Sequence, residues 1–572
     1  MKRLVFSLAW AFALALVLVS SSVHATVVEH TFNVEDISVK RLCRQQVITA
    51  VNGTLPGPTI NAREGDTVVV HVFNKSPYNL TIHWHGILQI LTPWSDGPEF
   101  VTQCPIPSGS SYTYKFKITG QEGTLWWHAH SSFLRATVYG ALIIRPRRGH
   151  SYPFPKVYQE VPILLGEWWN ANVVEVEHNA TESQAIPMES HAYTINGLPS
   201  DLYRDLYNCS KDKTYHVKVK RGKTYMLRII NAALNAQHFF EIANHTMTVV
   251  AIDAAYTEHY KTKVLVLAPG QTVDILLRAD QPVGSYYMAF LPYRSAPGVN
   301  LNANMTRGVI IYEGATSAEK PVMPDLPDPF DTPTAHRFYT NITGLAGGPH
   351  WVPVPRHVDE HMFVTFGLSY DVCRNMSGHC PGQKPLSANM NNESFVLPRG
   401  KGLSMLEALY RNVDGVYTRD FPDQPPFVFD YTNPNLTTLT DYAPKSTKVK
   451  TLKFNSTVEV VLQNTAIVAA ENHPIHIHGF NFHVLAQGFG NYNATRDQPK
   501  FNFVNPQIRN TISVPVGGWS VIRFQANNPG IWLVHCHFEN HLPWGLAMAF
   551  EVLNGPTPSS SLPAPPHDLP KC

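Results

Sequence analysis

The chain has 572 residues, of which 44% are hydrophobic, 11% aromatic and only 15% charged, with a formal net charge of +2. That length exceeds one domain and corresponds to about three at roughly 150 to 200 residues each. The near-neutral balance gives no electrostatic reason to expect nucleic acid or an anionic membrane surface as partner, and 45 Pro with 35 Gly favour a turn-rich β protein over a helical one.

Residues 1–25 begin with Lys2-Arg3, continue with an apolar run over 4–19 and end in small residues through Val23-His24-Ala25. This is the pattern of a cleaved secretory signal, and the apolar run falls short of the ~20 residues that a membrane span needs. Thirteen Asn-x-Ser/Thr sequons between Asn52 and Asn493 fit a glycoprotein of the secretory route. An extracellular protein with no membrane association is expected.

From residue 26 onward one strand pattern recurs three times, as TVVVHVFN at 67–74, TYMLRIIN at 224–231 and TVEVVLQN at 457–464. Each copy is followed by a turn and strand, SGSSYTYKF at 108–116, PGQTVDILL at 269–277 and GGWSVIRF at 517–524. Each then has a glycine-led strand, GTLWWHAH from Gly123, GSYYMAF from Gly284 and GIWLVHCH from Gly530. Short strands rich in Val, Ile, Phe and Tyr between Gly and Pro read as β-sandwich domains. The expected division is a first domain at 26–147, a second at 158–316, a Pro- and Gly-dense linker at 317–415 and a third domain at 416–572.

The outer copies carry histidines where the middle one does not. His128 and His535 lie five residues after Gly123 and Gly530, whereas the middle copy has Ala289 in that place. The clusters are His83-Trp84-His85, His128-Ala129-His130, His473-Pro474-Ile475-His476-Ile477-His478 and His535-Cys536-His537, followed by His541. A single H-x-H is explained by packing on one strand face; four such pairs at matching points of two repeats are not. Alternation along a strand lets Cys536 bind one metal while His535 and His537 reach metal on the other face. Imidazoles with one thiolate form the ligand set of copper, whereas structural zinc sites use paired cysteines at close spacing, absent here.

Seven cysteines is an odd count for a secreted chain. With Cys536 as a metal thiolate, Cys43, Cys104, Cys209, Cys373, Cys380 and Cys572 remain for three disulfides. Fifteen connectivities are open to six cysteines, and only Cys373 with Cys380 looks local.

These four motifs together resemble the multicopper oxidases, most closely the plant laccases, over essentially the whole chain after the signal. The resemblance implies an all-β fold of three cupredoxin-like, Greek-key sandwiches and four copper ions. His473, Cys536 and His541 would hold the type 1 copper, and His83 with His476 the type 2 copper. His85, His128 and His537 would hold one type 3 copper, with His130, His478 and His535 on the other. It further implies disulfides Cys43–Cys209 and Cys104–Cys572. Asp96 matches the family's acid that hydrogen-bonds water at the type 2 copper and relays protons, with a plain turn Asp as the alternative. Leu546 stands at the axial position over the type 1 copper, where a missing thioether raises the potential; Met548 is the rival.

The activity so implied is oxidation of phenols, including monolignols, by dioxygen in the cell wall. The electron would pass from a phenol at the ring edge of His541 through Cys536 to His535 or His537. Asn235 falls where fungal relatives carry an acid that accepts the phenol proton. A monomer is expected. Ascorbate oxidase and a ferroxidase are the rival activities on the same fold, and Leu546 argues against the first, which would have Met there.

Overall fold

The structure is a computed structural model that describes residues 25–209, 213–296, 302–316, 320–372, 384–436 and 442–572. The segment expected as a secretory signal, apart from Ala25, and the pair Cys373 and Cys380 lie outside the described residues.

Strand after strand, the three repeats take the same place in three β-sandwiches. Thr67–Asn74 runs parallel to Val27–Arg41, Thr224–Asn231 parallel to Gln159–Trp168, and Ser456–Asn464 parallel to Glu360–Tyr370. On its other edge each pairs antiparallel with the strand that follows the turn, respectively Ser111–Lys117, Thr272–Arg278 and Gly518–Ala526. The glycine-led strands Gly123–Ala129, Ser285–Pro292 and Gly530–Cys536 sit in the facing sheets. Among the described residues helices are short, the longest at Val173–Ser183.

The reason these segments are strands is visible in their alternation. In Ser111–Lys117, Tyr112, Tyr114 and Phe116 point into the core while their neighbours face outward. Burying a side chain such as Phe116 contributes roughly 1.5–3 kcal/mol. The asparagine that ends each repeat does the same work three times. Nδ2 of Asn74 donates to the carbonyls of Tyr78 and Ile106, that of Asn231 to Ala236 and Leu267, and that of Asn464 to Glu471 and Pro515. Each amide thereby ties two carbonyls of neighbouring segments to the end of its strand.

The third sandwich starts inside the stretch expected as linker. Glu360–Tyr370 and Leu386–Met390 are strands of its six-stranded sheet, and Thr332–Asn341 is a helix. The Pro and Gly around them mask the alternation of a central strand buried on both faces.

Two disulfides, Cys43–Cys209 and Cys104–Cys572, tie the first sandwich to the second and to the C-terminal tail. The first and second are also joined by a buried ionic knot. The Arg228 guanidinium donates to Thr124 Oγ1 at 2.8 Å and to Asp274 Oδ2 at 3.0 Å, and Thr124 Oγ1 donates to Asp274 Oδ1 at 2.5 Å.

Candidate metal centre

Register brings the histidines together. His83 is the cross-strand partner of His128, and His476 that of His535, so corresponding strand pairs of the first and third sandwiches present imidazoles at the same point of the ladder. The first and third sandwiches meet with these faces opposed. His83, His85 and His476 converge, as do His85, His128 and His537, and His130, His478 and His535, each trio with its nitrogens within 4.8 Å of one another. Alternation puts Cys536 on the other side of its strand, where Sγ lies 3.4 Å from His541 Nδ1 and 3.7 Å from His473 Nδ1. His541 reaches it from the one-turn helix His541–Trp544, and His473 from the strand His473–Ile477.

The rings are aimed by hydrogen bonds from their outer nitrogens. Nδ1 donates to a backbone carbonyl in His83 (Asp96, 2.7 Å), His128 (Ala129, 2.8 Å), His476 (Asn510, 2.8 Å) and His535 (Cys536, 2.9 Å). Asp96 Oδ2 accepts from Nδ1 of His478 at 2.9 Å. With Nδ1 so occupied, the lone pair sits on Nε2, which points inward. Nε2 of His83, His128 and His476 is buried and has no hydrogen-bond partner. Nε2 of His478 and His535 face each other at 3.2 Å, two lone pairs with no proton between them. Buried acceptors without donors are costly, and a shared cation is what such a set accommodates.

Electrostatics agree. Burial, and then the neighbouring imidazoles, hold His85, His476 and His478 well below the ordinary histidine pKa, so these rings are neutral donors of lone pairs. Burial pushes the Cys536 thiol well up, so a thiolate there requires a metal. Leu546 is fully buried in the same apolar cluster as Cys536, Phe538 and Met548. The residues present thus fit copper: one thiolate with imidazoles in an apolar shell, and imidazoles alone beside it.

Several contributors carried no sequence signal. Glu471 stands 3.4 Å from His541 Nε2, and although burial raises its carboxyl, the His541 ring outweighs this and holds it low. Arg135 touches His537 and pairs with Glu539 at 3.0 Å. Burial pushes the Glu539 carboxyl up to about 7. The middle sandwich also reaches the centre, since a Cβ on Gly270, at φ +90°, would stand 3.0 Å from ring atoms of both His85 and His537. Asn235 spends its side chain on Asn540, giving a hydrogen bond to Oδ1 at 3.2 Å and receiving one from the backbone N–H at 3.0 Å. In the middle copy Ala289 pairs across the ladder with Glu241, which therefore stands where the outer copies have His83 and His476.

Comparison with known proteins agrees with this geometry. Family models described as Multicopper oxidase match residues 33–149, 159–315 and 420–556. The chain is 62% identical to Laccase-7 of Arabidopsis thaliana over 98% of each chain. To Laccase-24 of Oryza sativa subsp. japonica it is 55% identical, over 98% of each. Among solved structures, the laccase from Botrytis aclada superposes with a TM-score of 0.72 at 26% identity, covering 94% of this chain and 89% of that one. The chain belongs to the multicopper oxidases, as a copper-binding oxidoreductase of the laccase group.

Proposed function

We propose that the protein is a secreted, monomeric laccase of the plant cell wall that oxidises monolignols and other p-diphenols and thereby serves lignin polymerisation or phenolic turnover. In this reading it binds neither nucleic acid nor membrane. Four coppers occupy the convergent sets: type 1 on His473, Cys536 and His541; type 2 on His83 and His476; type 3 on His85, His128 and His537 and on His130, His478 and His535. Copper bound there accepts electrons singly from a phenol and delivers four of them to dioxygen, giving two waters.

The residues supply the rest. Cys536 joins the two regions covalently, because His535 and His537 are its immediate neighbours while Sγ faces His473 and His541. Asp96 holds His83 through its carbonyl and His478 through its carboxylate, keeping the ligands from either side of the seam in place. Burial keeps water from the path and the imidazoles neutral. Leu546, buried in the apolar cluster with Cys536, would offer a type 1 copper no thioether donor, which would favour the reduced metal and suit phenols.

The observation that carries the reading is Cys536 between two histidines of one set and facing two of the other. Its test is Cys536→Ser, with copper content, blue absorbance and oxidation of a syringyl phenol, ascorbate and a ferrous salt measured on both proteins. The expected result is four coppers, blue absorbance and phenol preference in the parent, with absorbance and phenol oxidation lost together in the variant. Retained phenol oxidation without Cys536 overturns the electron route; preference for ascorbate or ferrous iron overturns the substrate class.

A further inference from the structure

The leading strand of the first sandwich starts against an acid. Thr26 donates to Asp66 Oδ1 twice, from its backbone N–H at 2.9 Å and from its hydroxyl at 2.8 Å, and the Arg63 N–H donates to Oδ2 at 2.9 Å. The Thr26 carbonyl accepts from the Thr67 N–H at 2.9 Å, beside the Val27–Thr67 pair that opens the parallel ladder, so Thr26 is held on both sides. Asp66 is 5% exposed, yet among the described residues no cation pairs with it. A buried carboxylate with amide donors and no counter-charge is costly.

The basic side chains nearby are turned to other tasks. Arg63 donates to the Pro146 carbonyl at 2.7 Å, and Arg147 pairs with Glu64 at 2.6 Å. With Asp66 these three residues line a cleft of about 440 Å³, whose wall is completed by Ala25, Gly65, Lys117 and Arg148. Lys117 and Arg148 are exposed. The acid is not required by the sandwich itself, because the position before the repeat threonine is Asp66 in the first copy, Lys223 in the second and Ser456 in the third. In the third copy the acid stands on the partner strand instead, where Asp359 accepts from the Thr457 N–H at 2.8 Å. Only in the first copy does the partner strand follow directly on the expected signal, and only there is the residue before the threonine acidic.

We propose that the peptide bond between Ala25 and Thr26 is the processing site and that Asp66 captures the α-ammonium released there, an ion pair that pins the leading strand only in the mature chain. The proposal rests on the secretory reading above and adds what becomes of the new terminus. An endoprotease of the secretory route hydrolyses the bond: water gives its oxygen to the Ala25 carbonyl, which leaves as a carboxylate, and both protons to the Thr26 nitrogen, which becomes an ammonium. That nitrogen already stands 2.9 Å from Asp66 Oδ1, so a neutral donor becomes a charged one without movement of the strand. At contact distance this attraction outweighs repulsion from Arg63 and Arg147, which are engaged elsewhere, and from Lys117 and Arg148, which solvent screens.

The test starts from the mature terminus. Parent and Asp66→Asn, which keeps the shape and removes the charge, are secreted from a eukaryotic host and copper-loaded, and their N-termini are read by mass spectrometry. Both are then treated at pH 8 with a limiting amount of an isotopically labelled acetylating ester, and α-amine acetylation is followed by peptide mapping with the lysines as internal standard. The proposal expects both chains to begin at Thr26, lysine rates to be equal, and the α-amine to react at least about tenfold more slowly in the parent, because a paired ammonium seldom presents the lone pair that attacks the ester. Equal α-amine rates overturn the capture, and a mature terminus anywhere other than Thr26 overturns the processing site. If Asp66→Asn is not secreted, a Thr-Ser pair inserted between Ala25 and Thr26 decides. It moves the amine beyond reach of Asp66 while leaving threonine at the terminus; acetylation faster than in the parent supports the capture, and the parental rate overturns it. A parent that keeps residues 1–25 or stays inside the cell defeats the secretory reading itself, so the two failures are separable.

Discussion

Asp96 accepts a hydrogen bond from His478 across 382 positions of sequence at 2.9 Å, and both side chains are fully buried. It is the contact by which an acid of the first sandwich aims a candidate ligand of the third. Removing such an outer partner costs about 10–100-fold in metal affinity in comparable sites. Asp96→Ala is therefore expected to lose copper from the histidine cluster on dialysis while the blue absorbance near Cys536 persists. Metal analysis with electron paramagnetic resonance checks this, and full retention of cluster copper would sink it.

The buried knot of Arg228, Thr124 and Asp274 gives a stability prediction. Arg228 is fully buried, so Asp274→Ala strands its guanidinium with only partial compensation from Glu160 at 3.2 Å. Breaking a buried pair on one side costs about 3–5 kcal/mol. A clear fall in the urea midpoint is expected, larger than that of Thr124→Ala, and equal midpoints would show the knot to be energetically idle.

Glu241 gives a pH dependence away from the metal. Burial, with Asp325 adding to it and Lys263 opposing, raises its carboxyl from 4.5 to about 7. Between those values the folded protein keeps a proton that the unfolded chain has released, so stability falls as pH rises through that window and the full cost is present above it. Glu241→Gln carries no such cost. Its melting temperature should match the parent near pH 4.5 and exceed it at pH 8 by the equivalent of about 3 kcal/mol. A difference that does not change with pH would refute the assignment.

At Leu546 the expectation concerns potential. Leu546→Met places a weak thioether donor in the apolar cluster around Cys536, stabilises the oxidised metal and lowers the type 1 potential. Redox titration of the blue absorbance reads the shift, and oxidation of the hardest phenols should slow first. An unchanged potential would place the side chain elsewhere than over the metal.

Much of this was legible in advance because it is periodic. The strands 67–74 and 111–117 advertise themselves through alternation, 224–231 through its repeat likeness to 67–74, and the histidines through identical spacing from Gly123 and Gly530. Partners supplied by loops or by other sandwiches were not legible. Glu471, Arg135 and Gly270 act through proximity that no local pattern encodes. The Glu360–Tyr370 strand was hidden because both its faces are largely buried, which removes the polar alternation on which reading a strand depends. Glu241 became visible only when the ladder paired it with Ala289.

His85 and His537 stand 3.1 Å apart in space and 452 positions apart along the chain. On the ribosome, then, the earliest imidazoles emerge long before the strand that brings His535, Cys536 and His537 to complete the centre. Metal uptake must wait for the finished molecule. Chains made under copper starvation should accumulate as folded, colourless protein that turns blue when the ion is supplied afterwards, without refolding.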